Sequence, residues 1–460
     1  MAANVADLRE NLAAHGQEHL LRFWDALDEA GRARLDADVR AIDFDLLDAL
    51  IESLVEQAEP DVAGGELEPA QVLAPEADDV ELGRRALEAG EVAVVVVAGG
   101  QGTRLGFDGP KGCFPVGPVT DRTLFQIHAE KVAALGRRYG AMVPLYVMTS
   151  PQNHAEVEAF FDGHDSFGLD RVRLFTQGEM PAVDRETGRV LLAAPDRIAL
   201  SPDGHGGVIR ALARSGSLDE MAAAGVQTIF YLQVDNPLVA IGDPGFVGIH
   251  RRLGAEMSSK VVRKTDPAEK VGVLVEAGGR QRVIEYSDIS PDAAGRRGAD
   301  GNLELWAGSI ALHVFEVAFA ERLAAGGGRL PFHRAVKPVP YVDDAGRTIE
   351  PAEPNAVKFE QFIFDALPLA QRAVAVETDR RLEFEPLKNA SGPSSPETVR
   401  ARLSAIYADW LERAGIAVPR DARGEPAVPV EISPLVALDA GDLPGRVDPG
   451  IDVTAPVLVS

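Results

Sequence analysis

Residues 92–97 form an uninterrupted apolar run, VAVVVV, which is followed by three closely spaced glycines. β-Branched residues without polar interruption predict a strand that is buried on both faces, as in a parallel sheet covered by helices. Gly99, Gly100 and Gly102 follow this strand, and glycine lets backbone N–H groups approach a ligand closely because no Cβ intervenes. Successive N–H groups in such a turn form a cradle for anions. The run therefore predicts an α/β fold with an anion-binding loop at the carboxyl end of a central strand.

Cationic side chains accompany this loop. Thr103 and Arg104 follow the last glycine, and Lys111 lies in a Pro-Lys-Gly triplet a few residues later. An arginine and a lysine beside an anion cradle suit a ligand with more than one phosphate. The loop is not a Walker A motif, because proline precedes Lys111, and its G-x-G-x-x-x-G spacing is one residue too wide for the dinucleotide fingerprint. The sequence therefore predicts a nucleotide site of another class.

The composition restricts the partners and the compartment of the chain. Its 460 residues include 71 acidic and 46 basic residues, which give a formal net charge of -25. This balance argues against nucleic acid and against an anionic membrane surface as partners, so a phosphate site must be a local basic pocket. Cys113 is the single cysteine of the sequence, which excludes an intrachain disulfide and fits a cytoplasmic location. No apolar run reaches the roughly 20 residues of a membrane helix, and no signal peptide is expected.

Hydrophobic periodicity predicts three parts. They are an N-terminal helical segment with a Pro- and Gly-rich linker at 1–78, an α/β core at 79–390 with hairpin signals near 255–350, and a small β-rich piece at 391–460. Within the core the pattern predicts helices at 80–89, 122–139 and 153–162, and strands at 92–98, 145–149 and 228–234. Such alternation is typical of a doubly wound, mostly parallel sheet, in which ligands bind at the carboxyl ends of strands. Gly99 and Asp235 both fall at such ends.

The segments AGGQGTRLG and PKG resemble the signature of sugar-nucleotide pyrophosphorylases, which are nucleotidyltransferases with a GT-A-like, Rossmann-like fold. Further blocks resemble the eukaryotic-type UDP-N-acetylhexosamine pyrophosphorylase family and occur in the same order, including GQEHLLRFW, FTQGEMPAV, SPDGHGG, VDNPLV, AVKFEQF, PLKNASG and VEISPL. The resemblance covers nearly the whole chain. It implies that residues 79–390 form a nucleotidyltransferase core with a sugar-binding insertion.

The resemblance also implies a reaction. UTP and a sugar 1-phosphate, with N-acetylglucosamine 1-phosphate as the expected sugar, would give a UDP-sugar and pyrophosphate through in-line attack on the α-phosphorus of UTP. A phosphate is already anionic at neutral pH, so positioning and electrostatic stabilisation are needed rather than a general base. By their match to the family motifs, Arg104, Lys111 and Lys388 are the expected catalytic cations. Asp235 is the expected ligand of Mg²⁺ or Mn²⁺, since a hard carboxylate suits these ions.

The same match predicts the residues that bind the nucleotide and the sugar. The expected nucleotide-binding residues are Gly99, Gly100, Gly102, Thr103, Gln177, Gly204 and Lys358. Gln177 and Gly204 match the positions that read uracil, and an amide has both donors and acceptors for a base edge. Lys358 matches a lysine directed at the phosphates of the product. The expected sugar-binding residues are His205, Glu285 and Ser309.

Two sugar-facing positions depart from the N-acetylhexosamine pattern. The glycine loop reads Gly-His-Gly around His205 instead of GNGG, and Ser309 stands where the family has an asparagine in an AGN segment. These differences keep open a glucose 1-phosphate uridylyltransferase or a UDP-sugar pyrophosphorylase of broad specificity. Two other classes are also considered: a non-catalytic nucleotide-sugar-binding protein, and a dinucleotide-dependent oxidoreductase, which would need the shorter glycine spacing. The sequence leaves the oligomeric state open.

Overall fold

A computed structural model describes residues 5–55, 67–326 and 330–460 of the protein. The helices in these ranges are α1 (Val5–Ala14), α2 (Glu29–Arg40), α3 (Phe44–Val55), α4 (Ala77–Glu88), α5 (Leu124–Tyr139), α6 (His154–Gly163), α7 (Val208–Arg214), α8 (Ser217–Ala223), α9 (Pro244–Arg252), α10 (Pro291–Gly295), α11 (Val317–Ala325), α12 (Arg380–Glu383) and α13 (Pro396–Arg413). The strands in the same ranges are β1 (Glu68–Pro69), β2 (Val72–Leu73), β3 (Val92–Val97), β4 (Leu145–Thr149), β5 (Val172–Thr176), β6 (Glu179–Pro181), β7 (Val183–Asp184), β8 (Leu192–Ala194), β9 (Arg197–Ile198), β10 (Leu200–Pro202), β11 (Thr228–Gln233), β12 (Met257–Arg263), β13 (Val273–Ala277), β14 (Arg280–Ile284), β15 (Ala307–Glu316), β16 (Phe332–Lys337), β17 (Tyr341–Val342), β18 (Thr348–Ile349), β19 (Ala356–Gln361), β20 (Ala373–Glu377), β21 (Val430–Ile432) and β22 (Val457–Val459).

These elements belong to two compact units, each assembled from three segments of the chain. The first unit comprises Met1–Gly64, Gln177–Gly207 and Leu330–Ile363, and the second comprises Gly65–Thr176, Val208–Arg329 and Phe364–Ser460. The predicted division into residues 1–78, 79–390 and 391–460 follows the order of the chain, whereas each unit combines three separate segments. The predicted division therefore stays a prediction. Part of the predicted linker, residues 58–66, lies outside the described residues. Its described remainder contributes the short strands β1 and β2.

The second unit is built around a large, mostly parallel sheet, which confirms the predicted fold class. Its strands follow the order β2-β20-β12-β15-β11-β3-β4-β5, and β13 joins β1, β14 and β15 at one side. The pairs β11–β3, β3–β4, β4–β5, β12–β20 and β2–β20 are parallel, whereas β15 runs antiparallel to both of its neighbours, β11 and β12. Five of the six residues of β3 are buried, as expected for a central strand between two helical layers.

Helix α5 covers one face of this sheet. It begins at the cap residue Thr123, whose hydroxyl accepts a hydrogen bond from the Gln126 N–H at 3.1 Å. It ends at Gly140, which has the left-handed φ of +66° that favours glycine. Leu124, Phe125, Ile127, Val132 and Leu135 share the apolar core with residues of β3, β4 and β11. The helical spacing of these apolar residues therefore packs α5 against the sheet.

The path of the chain creates a switch in strand order beside β3. From β3 the chain moves outward through β4 to β5, and it then returns to place β11 on the other side of β3. In the parallel pair Gln233 lies opposite Val97, and the Val234 N–H donates to the Val97 carbonyl at 3.0 Å. The carboxyl ends of β3 and β11 are thus direct neighbours at the kind of position where ligands bind in open α/β sheets.

β-Structure occurs at two places where the sequence predicts it. The AGGR signal forms the turn of a β13–β14 hairpin, with Gly278 and Gly279 at φ +59° and +71°. After α13, the chain forms the separate parallel pair β21–β22. Among the helices of the described ranges, none combines the length and the apolar composition that crossing a bilayer requires.

The first unit combines the N-terminal helices with small antiparallel sheets. Strands β16, β19 and β7 form one sheet, and β6 pairs with β10. Leu8 and Leu12 of α1, Leu35 of α2 and Leu47 of α3 are buried in one apolar core with strand residues such as Phe359. The N-terminal helices predicted from the sequence therefore share a core with strands that follow much later in the chain.

Candidate active site

The loop between β3 and the 3₁₀ turn Lys111–Cys113 is closed on itself by backbone hydrogen bonds. The Lys111 N–H donates to the Gly100 carbonyl at 3.0 Å, and the Gly102 N–H donates to the Gly109 carbonyl at 2.8 Å. Gly102 is needed for a steric reason, because a Cβ there would lie 2.7 Å from the Phe107 ring. The loop thus leaves β3 and returns with Lys111 beside the end of the same strand.

Backbone and cationic groups of this loop are available to a ligand. Gly100, Thr103 and Arg104 are exposed, and Gly99 is half-buried. Arg104 belongs to the 3₁₀ turn Thr103–Leu105, which projects from the loop. The structure therefore exposes Gly100, Thr103 and Arg104 in the loop at the end of β3, whereas Gly102 of the same loop is buried.

Asp235 lies beside this loop, at the end of β11. Its carboxylate is 3.7 Å from the Lys111 ammonium, and the two side chains are 12% and 20% exposed. The Lys111 ammonium also donates to the Leu387 carbonyl at 3.4 Å. The Leu387 N–H in turn donates to the Asp235 carbonyl at 2.8 Å, which places the next residue, Lys388, close to the same point. Lys111, Asp235 and the backbone of Lys388 therefore come together within the second unit.

Lys388 begins an exposed loop that is closed by its own backbone. The N–H groups of Lys388 and Asn389 both donate to the Ser394 carbonyl, at 2.8 and 3.1 Å. The Lys388 side chain is exposed. Lys388 directly follows Leu387, whose carbonyl accepts from the Lys111 ammonium, so the two lysines are suited to a polyanion that both can contact.

The neighbouring strands β13, β14 and β15 bring Glu285 and Ser309 into one row. Val273 pairs with Ile284 on one side and with Gly308 on the other. In these antiparallel registers Gly272 falls between Glu285 and Ser309, and the Ser309 N–H donates to the Gly272 carbonyl at 2.8 Å. A Cβ on Gly272 would lie 3.3 Å from the Glu285 carboxylate. The two predicted sugar-binding residues thus flank a position without a side chain.

The remaining predicted residues belong to the first unit and are also brought together there. The Asp203 N–H donates to the Gly178 carbonyl at 3.0 Å, which places Gln177 beside the loop that holds Gly204 and His205. Gly204 has a φ of +85°, and a Cβ there would lie 2.4 Å from the Gln361 carbonyl oxygen, so glycine is required. Gln361 ends β19, the strand that carries Lys358.

The His205 ring has a defined orientation within the first unit. Its Nδ1 accepts a hydrogen bond from the Ile363 N–H at 3.3 Å, so a neutral imidazole carries its proton on Nε2. The ring stacks on Phe362 with centroids 5.3 Å apart, and His333 also stacks on Phe362, with centroids 4.5 Å apart. This arrangement makes His205 a hydrogen-bond donor of fixed direction.

Two supporting groups behind Asp235 were not anticipated from the sequence. His128 of α5 is 1% exposed, and its Nε2 lies 2.9 Å from the carbonyl of Val234. Burial, together with a smaller contribution from the nearby Lys131 charge, lowers the pKa of His128 to about 3, and the Val234 carbonyl opposes this shift. His128 is therefore neutral at physiological pH and donates to the end of β11. The sequence gives one indication of this supporting role, which is a histidine on the apolar face of the predicted helix α5.

The second unanticipated group is a buried set of polar side chains. Asn236, Glu383 and Lys260 are 4%, 5% and 3% exposed, and they connect the Asp235 loop to the segment before Lys388. The sequence carries no clear signal for this set, because Lys260 lies beside two serines in β12 and the three residues are far apart in the chain.

The donor set around Asp235 fits a divalent ion that is shared with a ligand. Among the described residues no three or more His, Cys, Asp or Glu side chains are arranged to hold a metal. Asp235 offers one carboxylate, and Mg²⁺ is commonly held by one or two carboxylates together with phosphate oxygens and water. The site therefore suits a hard cation that binds together with a nucleotide.

Comparisons with known proteins give this architecture a family. Residues 62–403 match the family described as UTP--glucose-1-phosphate uridylyltransferase. The chain belongs to this family of nucleotidyltransferases, which confirms the class predicted from the glycine loop and the lysine triplet.

Individual relatives point to one branch of the family. The chain is 38% identical to the human UDP-N-acetylhexosamine pyrophosphorylase-like protein 1 over 95% of its own length and 93% of that protein. It is 40% identical to the UDP-N-acetylglucosamine pyrophosphorylase of Saccharomyces cerevisiae over 73% of each chain. The crystal structure of the Trypanosoma brucei uridine diphosphate N-acetylglucosamine pyrophosphorylase aligns with 99% of this chain and 98% of that one, at 26% identity and a TM-score of 0.82. The predicted resemblance to UDP-N-acetylhexosamine pyrophosphorylases is thereby confirmed.

Proposed function

We propose that this protein is a uridylyltransferase that makes a UDP-sugar and pyrophosphate from UTP and a sugar 1-phosphate, with N-acetylglucosamine 1-phosphate as the preferred sugar. The observation that carries the proposal is the meeting of Lys111, Asp235 and the Lys388 backbone beside the glycine loop. This set provides cations and one carboxylate at the switch point of the sheet. Relatives that are 38–40% identical carry the names of N-acetylhexosamine and N-acetylglucosamine pyrophosphorylases.

The reaction needs electrostatic stabilisation more than proton transfer. An oxygen of the sugar phosphate attacks the α-phosphorus of UTP, the bond to the bridging oxygen breaks, and pyrophosphate leaves with the electron pair. Lys111 is assigned to the phosphates at the reacting centre, and Arg104 to the leaving pyrophosphate. Lys388 and Lys358 are assigned to the phosphates of the product. Cations placed where negative charge develops are typically the largest contribution to such a reaction.

Asp235 is assigned to a divalent metal ion, with Mg²⁺ or Mn²⁺ as the proposed ion. Nucleotidyltransferases of this type generally use a divalent metal. When bound, the ion would neutralise part of the phosphate charge. The cationic side chains would stabilise the attacked phosphate and the leaving pyrophosphate. Asp235 itself is held in place by the Leu387 N–H on its carbonyl.

The base and the sugar are assigned to the remaining groups. Gln177 and the Gly204 backbone are proposed to bind uracil. His205 is proposed to donate from Nε2 to the sugar or its phosphate, and Glu285 and Ser309 to contact sugar hydroxyls from either side of Gly272. The location of the protein is proposed to be cytoplasmic.

Glucose 1-phosphate is the second candidate substrate. Ser309 is shorter than asparagine and offers no amide to an N-acetyl group, and the Gly-His-Gly loop around His205 also departs from the N-acetylhexosamine pattern. The matching family carries the glucose 1-phosphate name. These observations favour a site that accepts more than one sugar.

A substrate panel tests the proposal. Purified protein is given UTP, Mg²⁺ and one of three sugar 1-phosphates, those of N-acetylglucosamine, N-acetylgalactosamine and glucose, and pyrophosphate release is measured. We expect the highest kcat/KM with N-acetylglucosamine 1-phosphate. Highest kcat/KM with glucose 1-phosphate would support the second candidate. Binding of UDP-sugar without turnover of any sugar 1-phosphate would indicate a non-catalytic binding protein.

A further inference from the structure

The segment that carries Lys388 has no regular secondary structure, so other contacts must fix it beside Asp235. Residues 384–388 follow α12 and belong to neither a helix nor a strand. The hydrogen bond from the Leu387 N–H to the Asp235 carbonyl joins this segment to the end of β11. One backbone bond leaves an irregular segment free to pivot, so a second connection is needed to define its position.

Asn236 supplies a second connection. Its Nδ2 donates to the Glu383 carbonyl at 2.7 Å, and its Oδ1 accepts from the Glu385 N–H at 3.4 Å. The same Oδ1 accepts from the Leu238 N–H at 3.3 Å, within the loop that follows Asp235. Although it is adjacent to Asp235, the Asn236 side chain is buried and bonded to protein backbone. It therefore joins the two segments instead of facing a substrate.

Glu383 supplies a third connection from the opposite side. Its Oε1 accepts a hydrogen bond from the Ala240 N–H at 3.0 Å, again within the Asp235 loop. Its Oε2 accepts from the Lys260 ammonium and from the Thr378 hydroxyl. A buried carboxylate needs such compensation because an unpaired buried charge is strongly unfavourable.

Lys260 fixes this carboxylate to the sheet. It projects from the buried strand β12 and pairs with both Glu383 and Asp243, the latter at 2.7 Å. Asp243 also caps α9 by accepting from the Gly245 N–H at 2.9 Å. The charge pair thus links β12, the start of α9 and the end of α12 around the Asp235 loop.

We propose that Asn236, Glu383 and Lys260, together called the buried bracket, are positioning residues that set the distance between Asp235 and Lys388. The inference rests on the proposed function, because it assigns Asp235 and Lys388 to the reacting phosphates. None of the three side chains contacts the substrate in this scheme. Their effect passes through the backbone of residues 235–240 and 383–388.

A bracket of this kind affects turnover more than binding. UTP would still be held by the glycine loop, whereas small displacements of Lys388 relative to Asp235 would misalign the reacting groups. Misplacement by about 1 Å can reduce a rate by roughly 100-fold. Loss of one bracket side chain should therefore lower kcat by about 10- to 100-fold and change the KM for UTP by less than about threefold.

The experiment compares four variants of the full chain. N236A and E383A remove bracket contacts, and E383Q keeps an acceptor for the Ala240 N–H without the charge. D79A is the matched control, because Asp79 is also fully buried and paired, with Arg252 on α9, but has no part in the site. For each variant kcat, KM for UTP and the melting temperature are measured, together with hydrogen exchange of the peptide that covers residues 384–388.

We expect kcat to fall in N236A and E383A, and to fall less in E383Q, whose amide oxygen can still accept from the Ala240 N–H although its NH2 group cannot accept from Lys260. Exchange in 384–388 should rise in the two alanine variants but not in D79A, which should lose thermal stability and keep its kcat. Unchanged kcat per folded molecule in both alanine variants would overturn the inference and leave the bracket a purely structural feature. A parent protein without any turnover would instead contradict the proposed function. In that case hydrogen exchange still decides whether the bracket holds 384–388, and unchanged exchange in both alanine variants overturns it.

Discussion

The Lys111 ammonium lies 3.7 Å from the Asp235 carboxylate, although 124 residues separate them in the sequence. The distance is within the range of an ion pair but longer than a strong charged hydrogen bond. Each group therefore keeps some capacity for another partner. A nucleotide with its metal offers phosphate oxygens to the lysine and a cation to the aspartate, so that both charges stay compensated when it binds.

Lys111→Ala should strongly reduce turnover. The substitution removes a cation from the proposed reacting centre, and the loss of one group that stabilises the transition state typically costs about 10²- to 10³-fold in rate. We expect this reduction in kcat for pyrophosphate release. Lys337→Ala, at an exposed position at the end of β16, serves as the control and should leave kcat unchanged. Turnover of Lys111→Ala near that of the control would contradict the role given to Lys111.

Asp235→Ala should weaken the response to the divalent ion. The proposed ion loses its protein carboxylate, so more Mg²⁺ is needed for half-maximal activity, and kcat at saturating Mg²⁺ should fall by about 100-fold. A titration of activity against Mg²⁺ concentration measures both effects. The control is Asp170→Asn, which changes an exposed carboxylate. An unchanged titration curve for Asp235→Ala would place the metal elsewhere.

Local sequence patterns predicted the core elements of the second unit well. The strand at 145–149 occurs with those bounds, and the helix predicted at 80–89 occurs as Ala77–Glu88. Its earlier start reflects a capping box between Glu76 and Asp79, which periodicity alone does not reveal. Apolar runs and helical spacing are local properties, so a single sequence carries them.

Long-range pairing could not be predicted in the same way. Met257 of β12 pairs with Ala373 of β20, and the antiparallel strand β15 enters between β11 and β12. No local pattern specifies a partner more than 100 residues away. For the same reason, the sequence does not show that the N-terminal helices and β19 share one core.

The candidate site was likewise predicted only in part from the sequence. The glycine loop and Asp235 could be placed at strand ends from the sequence, because parallel strands direct their carboxyl ends to one edge. Lys388 was found through family resemblance, since its own surroundings are not distinctive. Asn236 and Glu383 were missed because their hydrogen bond spans 147 positions. Supporting residues of a site depend on tertiary structure more than its catalytic residues do.

The Cys113 thiol should be unreactive in the folded protein, although Cys113 lies next to the Lys111 loop. Burial raises the pKa of its thiol to about 12, with a smaller contribution from the Glu156 charge. Because the thiolate is the reactive form, the folded protein should react slowly with a disulfide reagent at pH 8, and the urea-unfolded protein rapidly. Cys113→Ala should keep its kcat within about twofold of the parent, since a half-buried thiol mainly fills space. Fast labelling of the folded protein together with loss of activity would contradict this account.

Ser309→Asn should shift the sugar preference. An asparagine at this position, beside Gly272, would offer an amide to an N-acetyl group, and one such hydrogen bond contributes about 1 kcal/mol. The ratio of kcat/KM for N-acetylglucosamine 1-phosphate over glucose 1-phosphate should therefore rise by about fivefold. The substrate panel measures this ratio directly. An unchanged ratio would show that Ser309 does not face the substituted carbon of the sugar.

His128 should make the folded protein sensitive to mild acid. Its folded pKa of about 3 lies below the usual value of 6.5 because of burial, so between these values the unfolded chain binds a proton that the folded protein does not. The free energy of unfolding must then decrease as the pH falls below 6.5. Between pH 7.5 and 5.5 this single group should remove about 1.4 kcal/mol. His128→Gln has no titrating ring, so its urea midpoint should fall less over the same interval, by an amount equivalent to that energy. The two proteins share all other titrating groups, and parallel pH profiles would therefore show that His128 is protonated as easily in the folded protein as in the unfolded chain.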